Sequence, residues 1–317
     1  MNGDVFMRKF ISVIVALVIC LSTFLIMPIT TSANEEPTMY VDYNATTNQL
    51  QVVQKYSDTE DFVMVMKPLS PNGIFNIAPP KVIDDSSEAI SSNVANAVQM
   101  VGMAESDWIG PYFDGSYWYG GTHSNDGAAT GRSDNIVLKL DGSTVSDDTG
   151  VYANTLEISW TNHLFSAGTT DDKIVENVVV SFDGDTWSVS NEISFVKDTK
   201  LKSYYGMQCV YGPWNDKIYY GDGAIGDITD GRAATSSNTR LCDTMLLTKN
   251  EHRLEMKLDR TYGMGIGEYQ ASDSHGAFSN AYGSSENGKA YFTLVSATDG
   301  VNIPAGTKTG WRGTYRF

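Results

Sequence analysis

From residue 106 onward the chain reads as one β-strand after another, and no stretch there sustains a helical period. Residues 155–163 alternate, with Leu156, Ile158 and Trp160 on one face, the pattern of a strand with one buried side. Residues 174–182 and 186–196 flank Asp183-Gly184, a pair that tolerates the positive φ of a tight hairpin. Residues 244–249 and 253–258 flank Asn250-Glu251-His252, a second hairpin, and residues 290–297 and 309–317 read as the last strands. Upstream, residues 39–43 and 49–56 alternate around the turn at 44–48. Residues 68–80 hold four of the nine prolines and read as a loop or cover; residues 86–101 read as a short helix or a loop-to-strand transition. Some dozen strands without βαβ alternation predict an all-β, antiparallel β-sandwich or jelly roll.

The strands need a core, and about 284 residues supply one large undivided domain, 34–317. The first 33 residues stand apart. Arg8 and Lys9 precede the apolar run 10–27, and Thr31-Ser32-Ala33 offers the small residues of a cleavage site. This is the form of a secretory signal peptide, so the expected locale is extracellular, with no membrane association after cleavage. A retained membrane anchor is the alternative. The formal net charge of −16 becomes one unit more negative once Asp4, Arg8 and Lys9 leave. Such a chain repels nucleic acid, which is not expected as a partner. Cys209 and Cys242 survive cleavage, either as one disulfide or as two buried thiols.

Residues 106–132 pack three tyrosines, two tryptophans, one histidine and six glycines into 27 positions. They predict an aromatic strand at 116–120 and then a glycine-flanked loop carrying His123. Three clusters mix aromatic faces with groups that move protons. The first is Trp118, Tyr119 and His123, with Arg132 beyond them. The second is Tyr204, Tyr205 and Gln208, followed by Tyr211, Trp214 and Tyr220. The third is His275 with Asn280. Sugar rings stack apolar C–H faces on aromatics while their hydroxyls need fixed polar partners, so a polysaccharide is the expected partner. Many of the seventeen tyrosines would nonetheless be ordinary sheet residues, since aromatics favour strands for packing alone. His163 ends an alternating strand, and His252 reads as a solvent-facing turn residue.

β-Elimination from a uronate needs a base, a stabiliser of the enolate-like intermediate and an acid for the leaving oxygen. His123, Tyr205 and His275 suit the proton work; Arg132 and Gln208 suit the charge. Glycoside hydrolysis instead needs two carboxylates about 5–10 Å apart. Glu157, Glu192 and Glu268 show no paired signature, and no GxSxG serine motif is present. CxxC and HExxH are absent too. No cofactor or metal site is expected, with calcium at the loops 124–127 and 221–223 as the open alternative. The expected function is a polysaccharide lyase. The alternatives are a non-catalytic carbohydrate-binding or adhesive module, and an envelope protein without ligand.

The runs SDWIGPY…GGTHS, EISWTNHLFSAGT, VVVSFDGDTW and SYYGMQC resemble β-rich proteins of bacteriophage tail appendages and secreted proteins of Gram-positive bacteria. Those carry a GGNHG-like loop after an aromatic strand, and a YYG-x-Q strand later. The resemblance spans residues 106–209. His123 matches the loop histidine, and Tyr204, Tyr205 and Gln208 match the later strand. Thr122 and Ser124 stand where the family has Asn and Gly. The resemblance implies recognition or depolymerisation of surface polysaccharide.

Overall fold

A computed structural model describes residues 36–92, 98–99, 106–228, 241–269, 280–284 and 288–317. The expected leader, 1–33, lies outside these residues. Among the described residues every paired strand is antiparallel and no α-helix occurs. A six-stranded sheet runs β10 (Thr149–Ala153), β1 (Met39–Asn44), β2 (Gln49–Ser57), β3 (Glu60–Leu69), β4 (Ile74–Asp84), β5 (Val98–Gln99). A ten-stranded sheet begins β17 (Ile225–Asp227), β16 (Lys217–Tyr220), β18 (Thr244–Lys249), β19 (His252–Leu258), β23 (Lys308–Arg316). It continues β13 (Trp187–Phe195), β12 (Ile174–Phe182), β11 (Leu156–Leu164), β8 (Gly131–Leu140), β9 (Ser143–Val145). Two small sheets complete the fold. One is β22 (Val295–Ile303), β14 (Thr199–Tyr204), β6 (Tyr112–Phe113), β7 (Trp118–Tyr119), and the other is β15 (Met207–Val210), β21 (Lys289–Thr293), β20 (Asn280–Ser284).

Strand alternation makes the sandwich. Val41, Val52, Met64 and Ile77 of the six-stranded sheet share one buried cluster with Ile158, Trp160, Val178 and Leu254 of the ten-stranded sheet. Phe75 meets Trp160 edge-on at 5.0 Å between centroids, and Trp187 Nε1 donates to Gln54 Oε1 across the layers at 3.0 Å. Burying large aromatics is worth several kcal/mol each, so such pairs dominate the layer contact.

The expected proline-rich loop is instead strand at both ends. Pro68 lies one residue before the end of β3, opposite Phe75 and beyond the end of the β2 pairing. Pro79 and Pro80 lie in β4 where the register with β3 shifts between Val63 and Val65. A bulge asks for no ladder N–H, which is where proline is tolerated. Residues 85–92 carry no regular element and β5 follows at Val98–Gln99; the rest of the 86–101 stretch lies outside the described residues. Cys209 and Cys242 are both buried, free thiols. His252 is half-buried rather than solvent-facing, with Nε2 at 2.9 Å from Glu60 Oε2.

Several aromatics that the sequence offered as sugar platforms are core residues. Tyr204, Tyr211, Trp214 and Tyr220 are 0–4% exposed. The alternation of β14 turns Tyr204 inward, flat against Tyr112 at 3.8 Å between ring centres. Its hydroxyl accepts from Trp311 Nε1 (2.7 Å) and Asn191 Nδ2 (3.2 Å). Beneath lies Glu176, which accepts from Tyr112 (2.8 Å), Asn162 (2.9 Å) and Asn191 (2.9 Å). Burial raises the Glu176 pKa, and these donors oppose that rise. Tyr204→Phe strands the Trp311 donor in the interior and takes one of two acceptors from Asn191 Nδ2. We expect it to lower unfolding free energy by about 1–3 kcal/mol, read as a lower urea midpoint at unchanged m-value.

Candidate functional site

Two short strands and one broken strand set the site. In the β6–β7 hairpin Tyr112 pairs with Tyr119 and Phe113 with Trp118. Tyr112 and Tyr119 are buried while Phe113 and Trp118 stay half-exposed. No single strand runs through residues 203–211: the chain is interrupted at Tyr205-Gly206, between β14 and β15. Gly206 holds φ +40°, and a Cβ there would meet Leu294 at 2.3 Å. The break turns Tyr205 away from the core that takes Tyr204. Trp118 stacks with His123 at 5.0 Å, with Phe113 at 4.7 Å and with Tyr205 at 5.6 Å; Tyr205 lies 4.7 Å from Tyr291.

The His123 loop is fixed from below. Asn72, in the β3–β4 turn, donates to the carbonyls of Gly121 (3.0 Å) and His123 (2.6 Å) and accepts from Thr130 N (2.9 Å). Thr130 Oγ1 donates to the same His123 carbonyl at 2.7 Å. Thr122 N donates to Asp107 Oδ2 at 3.0 Å. Asp107 is fully buried and pairs with Lys289 Nζ at 2.9 Å. Gln208 Nε2 donates to Asp107 Oδ1 and to its carbonyl, each at 2.7 Å. Burial pushes the Asp107 pKa up, but Lys289, His123 and the hydrogen bonds outweigh it, and the carboxyl stays below its ordinary value. Burial lowers the His123 pKa and Lys289 adds to the drop, against the pull of Asp107. The ring is therefore neutral at pH 7. Among the described residues nothing hydrogen-bonds its ring nitrogens.

The structure thus brings His123 and Tyr205 to the Trp118 ring. Gln208 is fully buried and serves to hold Asp107. Arg132 does not join them. It pairs across strands with His163, and its guanidinium meets Asp172 at 3.2 Å, over the Phe165 ring. His163 Nδ1 meets the same Asp172 at 2.6 Å, so this is a separate ion-pair cluster. Tyr119 is buried, its hydroxyl donating to Asp114 and accepting from Lys173 Nζ at 3.1 Å. Asn280 heads β20 opposite Thr293. His275 lies outside the described residues. Among the described residues, no group of three or more His, Cys, Asp or Glu could hold a metal ion.

Asp107, Lys289, Asn72 and Tyr291 were missed in the sequence. Lys289 had a usable signal, because a lysine opening the fully buried strand KAYFT must find an anion. Asn72 had none, since its partners are 49 to 58 residues away.

Gly121 is the tightest point of the loop. At φ +55°, a Cβ there would stand 1.8 Å from Asp107 Oδ2. Gly127 shares the left-handed backbone, at φ +78°, with nothing within 4 Å. Gly127→Ala is expected to cost only the left-handed penalty, about 1–2 kcal/mol. Gly121→Ala adds displacement of Asp107, about 1–3 kcal/mol more. Paired thermal melts measure the difference.

What the fold and site define is an antiparallel β-sandwich protein with an aromatic and imidazole site over a buried ion pair. No protein-family model matches the chain, and no curated protein matches it. Solved structures match at low similarity. One is a protein from Klebsiella pneumoniae subsp. pneumoniae described as a candidate aldose 1-epimerase, with TM-score 0.34 and 8% identity. The match covers 85% of this chain and 79% of that one. Another is the 4-alpha-glucanotransferase of Thermococcus litoralis, with TM-score 0.30 and 7% identity, covering 89% of this chain and 40% of that one. Likeness this distant says nothing about function.

Proposed function

We propose that the protein is a secreted enzyme that degrades polysaccharide, and that its reaction is β-elimination on a uronate-containing glycan. The observation that carries this reading is the grouping of a neutral, half-buried imidazole with a phenol, both against the Trp118 ring. His123 would take the proton beside the uronate carboxylate. The electron pair left by the broken C–H bond forms the new C=C bond as the glycosidic C–O bond breaks, and the Tyr205 hydroxyl protonates the leaving oxygen. Trp118 and Tyr205 supply flat faces for the sugar rings. Arg132 is engaged elsewhere, so the cation in this group is Lys289, which holds Asp107 and with it the His123 loop.

The test is to incubate the protein with uronate-containing polysaccharides and follow the ultraviolet absorbance of an unsaturated product. Absorbance that grows with time supports the reading; none on any such polymer sinks it. A glycan-binding module without catalysis is the second reading. The net charge of −16 favours it, because like charge repels an anionic polymer. Retained binding on a glycan array without product would select it.

A further inference from the structure

The outer face of the ten-stranded sheet carries a separate cavity of about 540 Å³. Strand alternation builds its floor. Ser188 and Ser190 of β13 point outward between the buried Trp187, Val189 and Asn191. Val179 of β12 and Thr314 of β23 flank them. The rim carries Lys257, Arg260 and Arg312, three cations in a chain of net charge −16. Two carboxylates line it as well, Asp243 and Asp259. Both are engaged with their own loops. Asp259 Oδ1 accepts from Thr261 N (2.8 Å) and Oγ1 (2.6 Å), and Asp243 Oδ1 accepts from Thr244 Oγ1 (2.9 Å).

Arg312 is exposed and lies over the Tyr262 ring at 3.8 Å, which fixes the guanidinium plane. Tyr262 in turn lines a second cavity of about 450 Å³, with Asn177, Lys308 and two carboxylates, Glu192 and Glu268; Glu268 Oε1 accepts from Thr309 Oγ1 at 3.2 Å. Asn177 and Glu192 follow Val179 and Ser190 along the same outward faces of β12 and β13. The two cavities therefore adjoin on one sheet face, with the Arg312–Tyr262 pair beside both.

We propose that this face is a binding site for an acidic oligosaccharide, distinct from the His123 group. Arg312 acts electrostatically on Asp259, yet it is exposed, and a guanidinium held flat on a ring matches a sugar carboxylate in planar fashion. Outward hydroxyls from Ser188, Ser190 and Thr314 match ring hydroxyls, and the Val179 side chain offers apolar surface to a C–H face. Cavities of this volume fall in the ordinary range for small-ligand sites; the first, with three cations against two carboxylates, takes the sugar carboxylate, and the second, with Glu192 and Glu268, takes the hydroxyls of a linked unit. The assignment extends the glycan reading but does not need catalysis at His123.

Titration of the full protein with digalacturonate and with the matching neutral disaccharide, by calorimetry and by amide chemical shifts, tests it. We expect saturable binding of the acidic sugar, with shifts at Ser188, Ser190 and Thr314. Arg312→Ala and Lys257→Ala should each weaken it by about tenfold or more, and His123→Ala should leave it unchanged. If Arg312→Ala does not fold, Lys257→Ala carries the test, since Lys257 is exposed. The proposal is overturned by no binding, by affinity no better than for acetate or the neutral sugar, or by binding that His123→Ala abolishes while the rim variants keep it. Absence of unsaturated product would count against the lyase reading and not against this site.

Discussion

His123→Ala is expected to lower kcat/KM on a uronate-containing polysaccharide by about 10²–10⁴-fold, the usual worth of a positioned proton-transfer group. Loss of the Trp118 stacking partner should cost only about 0.5–1.5 kcal/mol of stability, so the variant remains folded. The pH profile sharpens the expectation. Burial holds the His123 pKa below 6.5, so the ring stays a base at pH values where a free histidine is protonated. The acid limb of kcat/KM should therefore fall below pH 6.5. The same shift has a sign for stability. The unfolded chain takes up this proton more readily than the folded one, so stability is lost as pH drops through the window below 6.5. An alanine variant with undiminished turnover, or a limb at or above 6.5, would remove His123 from the chemistry.

The second large effect concerns the pair beneath it. Lys289→Met leaves the Asp107 carboxylate buried with no cation, and breaking a buried pair from one side costs about 3–5 kcal/mol. Chemical denaturation measures this directly. Asp107 keeps a pKa below its ordinary 3.8, so the native pair contributes from neutral pH down to that region and is lost only as pH falls through the folded pKa. In Lys289→Met, burial acts on Asp107 without its largest opponent. The penalty should then shrink on acidification, because a protonated carboxyl needs no cation. Adding Asp107→Asn to the lysine variant should restore part of the loss. A cost under about 1 kcal/mol in the single variant would mean that the pair is solvated, since exposed pairs are worth that little.

The sheet architecture was legible because alternation is a local property. Leu156, Ile158 and Trp160 read as one face and are all buried on β11. The hairpin at 244–258 forms with Asn250 at φ +53°. The site was legible only in outline. His123 and Tyr205 were singled out as types, but two neighbouring tyrosines, 204 and 205, cannot be sorted into core and surface from sequence. Sorting them depends on where the strand breaks, and it breaks at Gly206, whose positive φ of +40° leaves no room for a Cβ beside Leu294. Arg132 was misplaced for a similar reason. Nine residues separate it from His123, yet β8 carries it to the His163 and Asp172 cluster. Asp107 and Lys289 are 182 residues apart, and only the assembled sheets bring them into contact.

One feature of the large sheet bears on how the molecule comes together. β23 is hydrogen-bonded to β13 on one flank and to β19 on the other. Without it the sheet is two ribbons, each with a bare margin of peptide groups. Residues 308–316 join them, so a chain in which that segment has not yet docked presents two unpaired strand borders. Such long-range closure slows folding and makes those borders the places where two immature copies would first adhere.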